Sequence, residues 1–127
     1  MSKRGKIITN GIALETHEFL TILYFTELGY NVEILPKSNI KGQHTPDVKI
    51  NGIKWEMKSP KGEGNSLIKN TIQKALKQSQ YIIIDLRRTK RNQQKCIREI
   101  ENHFSHSKSI KRILAITKDS KLLDYKK

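Results

Sequence analysis

Thr45-Pro46-Asp47-Val48-Lys49-Ile50-Asn51-Gly52-Ile53-Lys54-Trp55-Glu56-Met57-Lys58 is the stretch on which the fold turns. Asn51-Gly52 is the strongest short hairpin signal, because both residues tolerate the positive φ angles that a two-residue turn demands. The runs on either side alternate apolar and polar residues, as strands do. A two-residue turn pairs Ile50 with Ile53 and, counting outward, Asp47 with Glu56. Directly paired residues project to one face with Cβ atoms about 4.5–5.5 Å apart. Lys58, two residues on, shares that face. The sequence thus sets two carboxylates side by side with an ammonium next to them.

Two like charges so close repel each other unless a cation sits between them. Oxygen ligands favour a hard ion such as Mg²⁺, which keeps several waters and coordinates phosphate oxygens. Such an ion activates a bound water and neutralises charge on phosphorus, while Lys58 orients the water or holds the scissile phosphate. This is a phosphodiesterase site in outline. Spacing alone does not carry the reading. A carboxylate two residues before a lysine occurs four times, at Asp47-Lys49, Glu56-Lys58, Asp119-Lys121 and Asp124-Lys126. Only Glu56-Lys58 follows a Pro-Asp across a hairpin. The competing reading is an amphipathic edge hairpin whose charged face meets solvent.

Working outward, the apolar positions of Ile12–Leu28 recur at helical spacing and Gly29 stops the helix. Asn31–Leu35 alternates as a strand, and Lys37–Thr45 is a polar basic loop. After the hairpin, Pro60-Lys61-Gly62-Glu63-Gly64 is a turn, and Asn65 or Ser66 caps a helix carrying Leu67, Ile68, Ile72, Ala75 and Leu76. Tyr81–Leu86 is an apolar run that reads as a strand covered on both faces. A helix over Gln93–Phe104 and a strand over Arg112–Thr117 complete the order helix, three strands, helix, strand, helix, strand. The expected architecture is α/β, a single domain with a mixed central sheet flanked by helices. Residues 1–10 are expected to form a flexible basic arm, and residues 120–127 a frayed tail.

Composition narrows the partner. Lys and Arg number 25 against 12 Asp and Glu, a formal net charge of +13. Such an excess repels itself in the compact state and points to a polyanion, nucleic acid first and an anionic membrane second. No long apolar run or broad-faced basic amphipathic helix supports the membrane. One cysteine, Cys96, excludes a disulfide framework and a CxxC zinc site and suits a reducing compartment. The N-terminal segment is too short and polar for a signal peptide.

Pro46-Asp47 and Glu56-Met57-Lys58, behind a helix carrying glutamates, resemble the PD-(D/E)xK nuclease superfamily. Within it, Trp55-Glu56-Met57-Lys58-Ser59-Pro60, Lys77-Gln78-Ser79 and Ile82-Ile83-Ile84-Asp85-Leu86-Arg87-Arg88 resemble the C-terminal nuclease domains of contact-dependent growth inhibition and related polymorphic toxins. The resemblance implies a restriction-endonuclease-like fold, a divalent cation and cleavage of RNA, tRNA in particular. It also implies an immunity protein that blocks the site. A toxin of this kind acts in the cytoplasm, delivered into a target bacterial cell as part of a larger secreted protein. DNA stays open as a substrate, since the superfamily includes DNA-cutting enzymes.

The same resemblance implies a glutamate ligand on the first helix. Glu15 and Glu18 both lie on the stripe of Ile22, and Glu18, nearer the core segment, is the preferred ligand. Gln78 resembles a polar helix position of the toxin group; with Lys74, Lys77, Arg87 and Arg88 it is a candidate contact to nucleic acid. For each of these, ordinary basic or polar surface is the plainer reading. His103 and His106 have metal-ligand spacing but no third ligand, and read as surface histidines. His17 and His44 are alternates, able to serve a metal-independent ribonuclease as acid and base. Trp55, Tyr24 and Tyr30 read as packing residues. A basic binding module without catalysis is the reading from another class; it leaves the paired carboxylates unexplained.

Overall fold

The computed structural model describes residues 3–127. Its strands are β1 (Ile7–Ile8), β2 (Val32–Ile34), β3 (Val48–Ile50), β4 (Ile53–Lys58), β5 (Tyr81–Asp85), β6 (Arg112–Ile116) and β7 (Leu122–Lys126). The helices are α1 (Thr16–Glu27), α2 (Leu67–Leu76) and α3 (Gln93–His106). All seven strands join one sheet in chain order. β4, β5 and β6 run parallel and need crossovers, which α2 and α3 supply; α1 links the parallel pair β1 and β2. The remaining neighbours are antiparallel.

The hairpin forms as read. Ile50 pairs with Ile53 and Val48 with Trp55, about a turn in which Asn51 has φ 51° and Gly52 φ 78°. Side chains of the central strands alternate between two cores. Ile83, Leu114 and Ile116 pack with Ile22 and Phe25 of α1, and with Trp55 and Met57. Ile82, Ile84, Ile113 and Ala115 pack with Ile68, Ile72 and Ala75 of α2 and Ile100 of α3. This two-sided burial is why β5 reads as an unbroken apolar run. Trp55 is buried with its ring edge-on to Tyr81, as its packing role required. Tyr24 and Tyr30 pack edge-on against Phe25, Tyr30 at the surface.

Both expected loose ends are corrected. Met1 and Ser2 lie outside the described residues, but Ile7–Ile8 pairs with Val32–Glu33 as β1. The Gly5 amide donates to the Thr26 carbonyl at 2.8 Å. Within 120–127, Leu122–Lys126 pairs along the whole of β6. Leu122 faces the first core and Leu123 and Tyr125 the second, an alternation hidden by the surrounding lysines. The first helix also starts later than its apolar stripe suggested, because Glu15 caps it; Phe19 is exposed.

The docking of the N-terminal segment is tight enough to test. A Cβ on Gly5 would stand 1.8 Å from the Tyr30 carbonyl oxygen, so the chain can pass here only without a side chain. Gly5→Ala is expected to lower the unfolding free energy by roughly 1–3 kcal/mol in chemical denaturation. A loose arm would leave it unchanged.

Candidate active site

The hairpin delivers Asp47, Glu56 and Lys58 to the wall of a cavity of about 490 Å³. His17 and Glu18 from α1, Leu67, Asn70, Thr71 and Lys74 from α2, and Arg88 beyond β5 close it. Asp47 immediately precedes β3, and its Oδ2 accepts from the Met57 amide at 2.8 Å. Its own amide donates to the Trp55 carbonyl at 2.9 Å. The carboxylate is therefore fixed to the backbone of β4. Glu56, on β4, is 4% exposed. Its Oε2 lies 3.2 Å from the Lys58 Nζ, while its Oε1 is buried with no hydrogen-bond partner among the described residues.

A buried carboxylate oxygen left without a donor is costly. Desolvation first, and the neighbouring Asp47 second, push Glu56 up to about 7, against the opposing pull of Lys58. A hard cation between the two carboxylates would relieve both causes, so the donor set suits one. Asp47 and Glu56 would hold it with few protein ligands. Among the described residues no three His, Cys, Asp or Glu side chains converge as a ready metal cage. Lys37, from the loop before β3, supplies positive charge from the other side, its Nζ 2.5 Å from Asp47 Oδ1.

A second polar network props the rim. Asp85, at the end of β5, is 4% exposed and receives both a forked pair from Arg87, at 2.9 and 2.8 Å, and the Thr21 hydroxyl at 2.7 Å. Burial raises the Asp85 carboxyl, but these hydrogen bonds outweigh it and hold the group below the usual carboxylate range. Thr21 also meets the Ser59 hydroxyl at 3.3 Å, tying α1 to the end of β4. Arg88 Nε donates to the Ser59 carbonyl at 2.7 Å.

These contacts sort the expected residues. Asp47, Glu56, Lys58, Glu18, His17, Lys74 and Arg88 meet at one cavity. Glu18 is half occupied: its Oε1 accepts the Glu15 amide at 3.0 Å, so it caps its own helix as well as facing the cavity. Glu15 is exposed at the other half of that capping box, near His17 Nδ1 at 3.4 Å. Neither glutamate shares the carboxylate pair. His44 is exposed on the loop and lines no part of the cavity.

Lys77 and Gln78 sit past the far end of α2 and do not line the cavity either; the Gln78 Oε1 is buried away from it. Arg87 donates to Asp85 and to the Leu20 carbonyl at 3.0 Å and lies over the Tyr24 ring, and it lines a smaller cavity of about 290 Å³ with His17, Ser59 and Arg88. His103 and His106 end α3, outside the cavity. Sequence reasoning missed Lys37 and Thr21, and gave Ser59 and Asp85 no role of their own. For Ser59 and Asp85 a signal existed, since a polar residue ending a buried parallel strand lies where such sheets form their clefts.

Residues 43–122 match the family described as the contact-dependent growth inhibition CdiA C-terminal domain. No curated protein matches the chain significantly. Among solved structures, a CdiA-CT/CdiI toxin and immunity complex from Burkholderia pseudomallei is similar in fold, with a TM-score of 0.70 over 97% of this chain and 100% of that one. Identity is 16%, so the likeness is one of fold.

The carboxylate pair makes stability depend on pH. A folded-state value of about 7 lies above the ordinary 4.5, so the folded protein binds the extra proton between these values. This contribution is full below about 4.5 and is lost as pH rises through about 7. Glu56→Gln should remove it, so that its stability relative to the parent rises by on the order of 1–3 kcal/mol from pH 4.5 to pH 8. Urea denaturation across that range checks it, and a constant difference would contradict it.

Proposed function

The chain belongs to the contact-dependent growth inhibition CdiA C-terminal domain family, and from that premise we propose a toxin nuclease of the PD-(D/E)xK type that hydrolyses phosphodiester bonds of RNA, tRNA foremost. The observation that carries this reading is Glu56: a buried carboxylate with one oxygen unpartnered, beside Asp47 and Lys58, in a protein of net charge +13. A structural hairpin has no use for such a pair. A basic binding surface would be better served by a lysine or threonine at either position.

In this reading Asp47 and Glu56 hold a divalent cation, Mg²⁺ in the first instance, which when bound supplies an activated water and neutralises phosphate charge. Lys58, anchored at Glu56 Oε2, holds the scissile phosphate and stabilises charge as it develops there. Lys74 and Arg88, at the cavity rim, contact flanking phosphates. Glu18 contributes through the oxygen its cap leaves free. Proton and cation compete for Glu56, so at limiting Mg²⁺ cleavage falls as pH drops below about 7.

A cognate immunity protein is the expected protein partner, acidic to complement this surface. The domain reaches a target cell as the end of a larger secreted protein and acts in its cytoplasm. A second reading has a specific observation behind it: His17 lines the same cavity as Lys58 and could serve a metal-independent ribonuclease.

The test is cleavage of total tRNA and of plasmid DNA by the purified protein, with Mg²⁺ or EDTA. Metal-dependent tRNA cleavage is expected, reduced about 100-fold or more by Asp47→Ala and by Lys58→Ala. Plasmid cleavage with the same dependence would make it a DNA endonuclease of this fold. Cleavage in EDTA that Glu56→Gln spares and His17→Ala abolishes would establish the histidine reading. Binding of tRNA without cleavage would overturn both.

A further inference from the structure

A second cavity, of about 420 Å³, opens at the opposite end of the sheet. Its floor is Ile53, Tyr81 and Ile110, from the starts of β4 and β5 and the turn into β6, and its rim is Lys108, Lys111, Arg112, Lys126 and Lys127. No Asp or Glu lines it. Arg112 is spent on Asp124, which it grips at 2.9 and 2.7 Å. Among the described residues, Lys108, Lys111, Lys126 and Lys127 have no carboxylate partner. Most of the described lysines carry no salt bridge; what sets these apart is that they converge on one cavity with an apolar floor. Lys127 Nζ turns onto the Ser107 carbonyl and the Phe104 ring, which leaves Lys108, Lys111 and Lys126 around the apolar floor. These three repel one another, and the low-dielectric floor strengthens their field outward.

We propose that this cavity is a second phosphate-binding site for the same RNA, gripping its backbone away from the bond that is cut. The inference rests on the nucleic-acid reading above and adds a requirement on the substrate. Lys58 pairs with Ile84, three residues along β5 from Tyr81 in the cavity floor. At about 3.3 Å per residue, with the depth of both cavities added, the two sites stand on the order of 10–20 Å apart. One RNA fills both only if its backbone curves past an end or face of the sheet, which a folded RNA does and a di- or trinucleotide cannot. The cationic rim therefore selects for substrate size and shape, contributing affinity but no chemistry.

The experiment measures binding of total tRNA against salt, in a Lys58→Ala background so that nothing is cut. Lys108→Glu, Lys111→Glu and Lys126→Glu together are compared with Lys41→Glu, Lys49→Glu and Lys95→Glu, an equal charge change at exposed lysines lining neither cavity. The rim variant should bind tRNA at least about tenfold more weakly than the control, with a salt slope shallower by about 2–3. A trinucleotide should bind both variants equally.

On the protein without rim changes, bound tRNA should shield Lys108, Lys111 and Lys126 from amine acetylation more than it shields Lys41, Lys49 and Lys95. That readout needs no folded triple variant. Equal weakening in rim and control variants, equal shielding, or no tRNA binding at all would overturn the proposal. Binding that follows the predicted pattern while the Lys58-bearing parent cuts nothing would leave this site standing and remove the nuclease assignment.

Discussion

Asp47 and Glu56 are held together by a hairpin whose register the turn and the core set, against the mutual repulsion of the two carboxylates. The Asn51-Gly52 turn fixes the register, the register sets the two carboxylates against one another, and burial beneath α2 takes water away from Glu56. Each step is favourable for the backbone or the core and unfavourable for the charges. The fold meets the cost with Lys58 on one side, Lys37 on the other and the Met57 amide beneath, and still leaves one Glu56 oxygen unpartnered. Strain of this kind, placed in a cavity and surrounded by a basic protein, is what a cation and a phosphate would relieve together.

The rest of the sheet serves this placement. Parallel β4, β5 and β6 end at the same edge, which brings Lys58, Ser59, Asp85 and Arg88 into one neighbourhood. Asp85 is the second buried carboxylate there, but it is fully answered by Arg87 and Thr21, and it stays ionised. The contrast between the two is informative. Asp85 is satisfied and positions α1 and the rim; Glu56 is unsatisfied and faces the cavity. At the other edge, the strands begin among lysines that form no salt bridge among the described residues, with Asp124 engaged by Arg112.

Much of the fold was legible in the sequence because the hairpin is a local device. Turn chemistry, register and face follow from fourteen consecutive residues, Thr45 to Lys58, with no tertiary information. The two-faced burial of Tyr81–Leu86 was legible for a similar reason: a short unbroken apolar run between turn signals is the pattern of a strand covered on both sides. The edge strands were not. Ile7–Ile8 is too short to show a period, and Leu122–Lys126 hides its alternation among lysines. Periodicity could not choose between Glu15 and Glu18; the structure puts Glu18 on the cavity wall and Glu15 at the surface, and both also answer a local need, the bare amides of the first turn. Lys77 and Gln78 were credited from motif likeness and Arg87 from its place at a strand end; tertiary geometry sends the first two past the far end of α2 and ties Arg87 to Asp85. Lys37 gave no signal at all, since its contact with Asp47 depends on the path of a loop.

The proposed chemistry of the site turns on Glu56 being held buried beside Asp47, a pair that a cation would relieve. The carboxyl-carbon NMR titration of Glu56 tests this most directly, taken with and without Mg²⁺ and repeated in Asp47→Asn. A midpoint near 7 is expected in the metal-free protein, moved toward the ordinary glutamate range both by Mg²⁺ and by loss of the Asp47 charge. A midpoint already in the ordinary range, indifferent to Mg²⁺ and to Asp47→Asn, would contradict it.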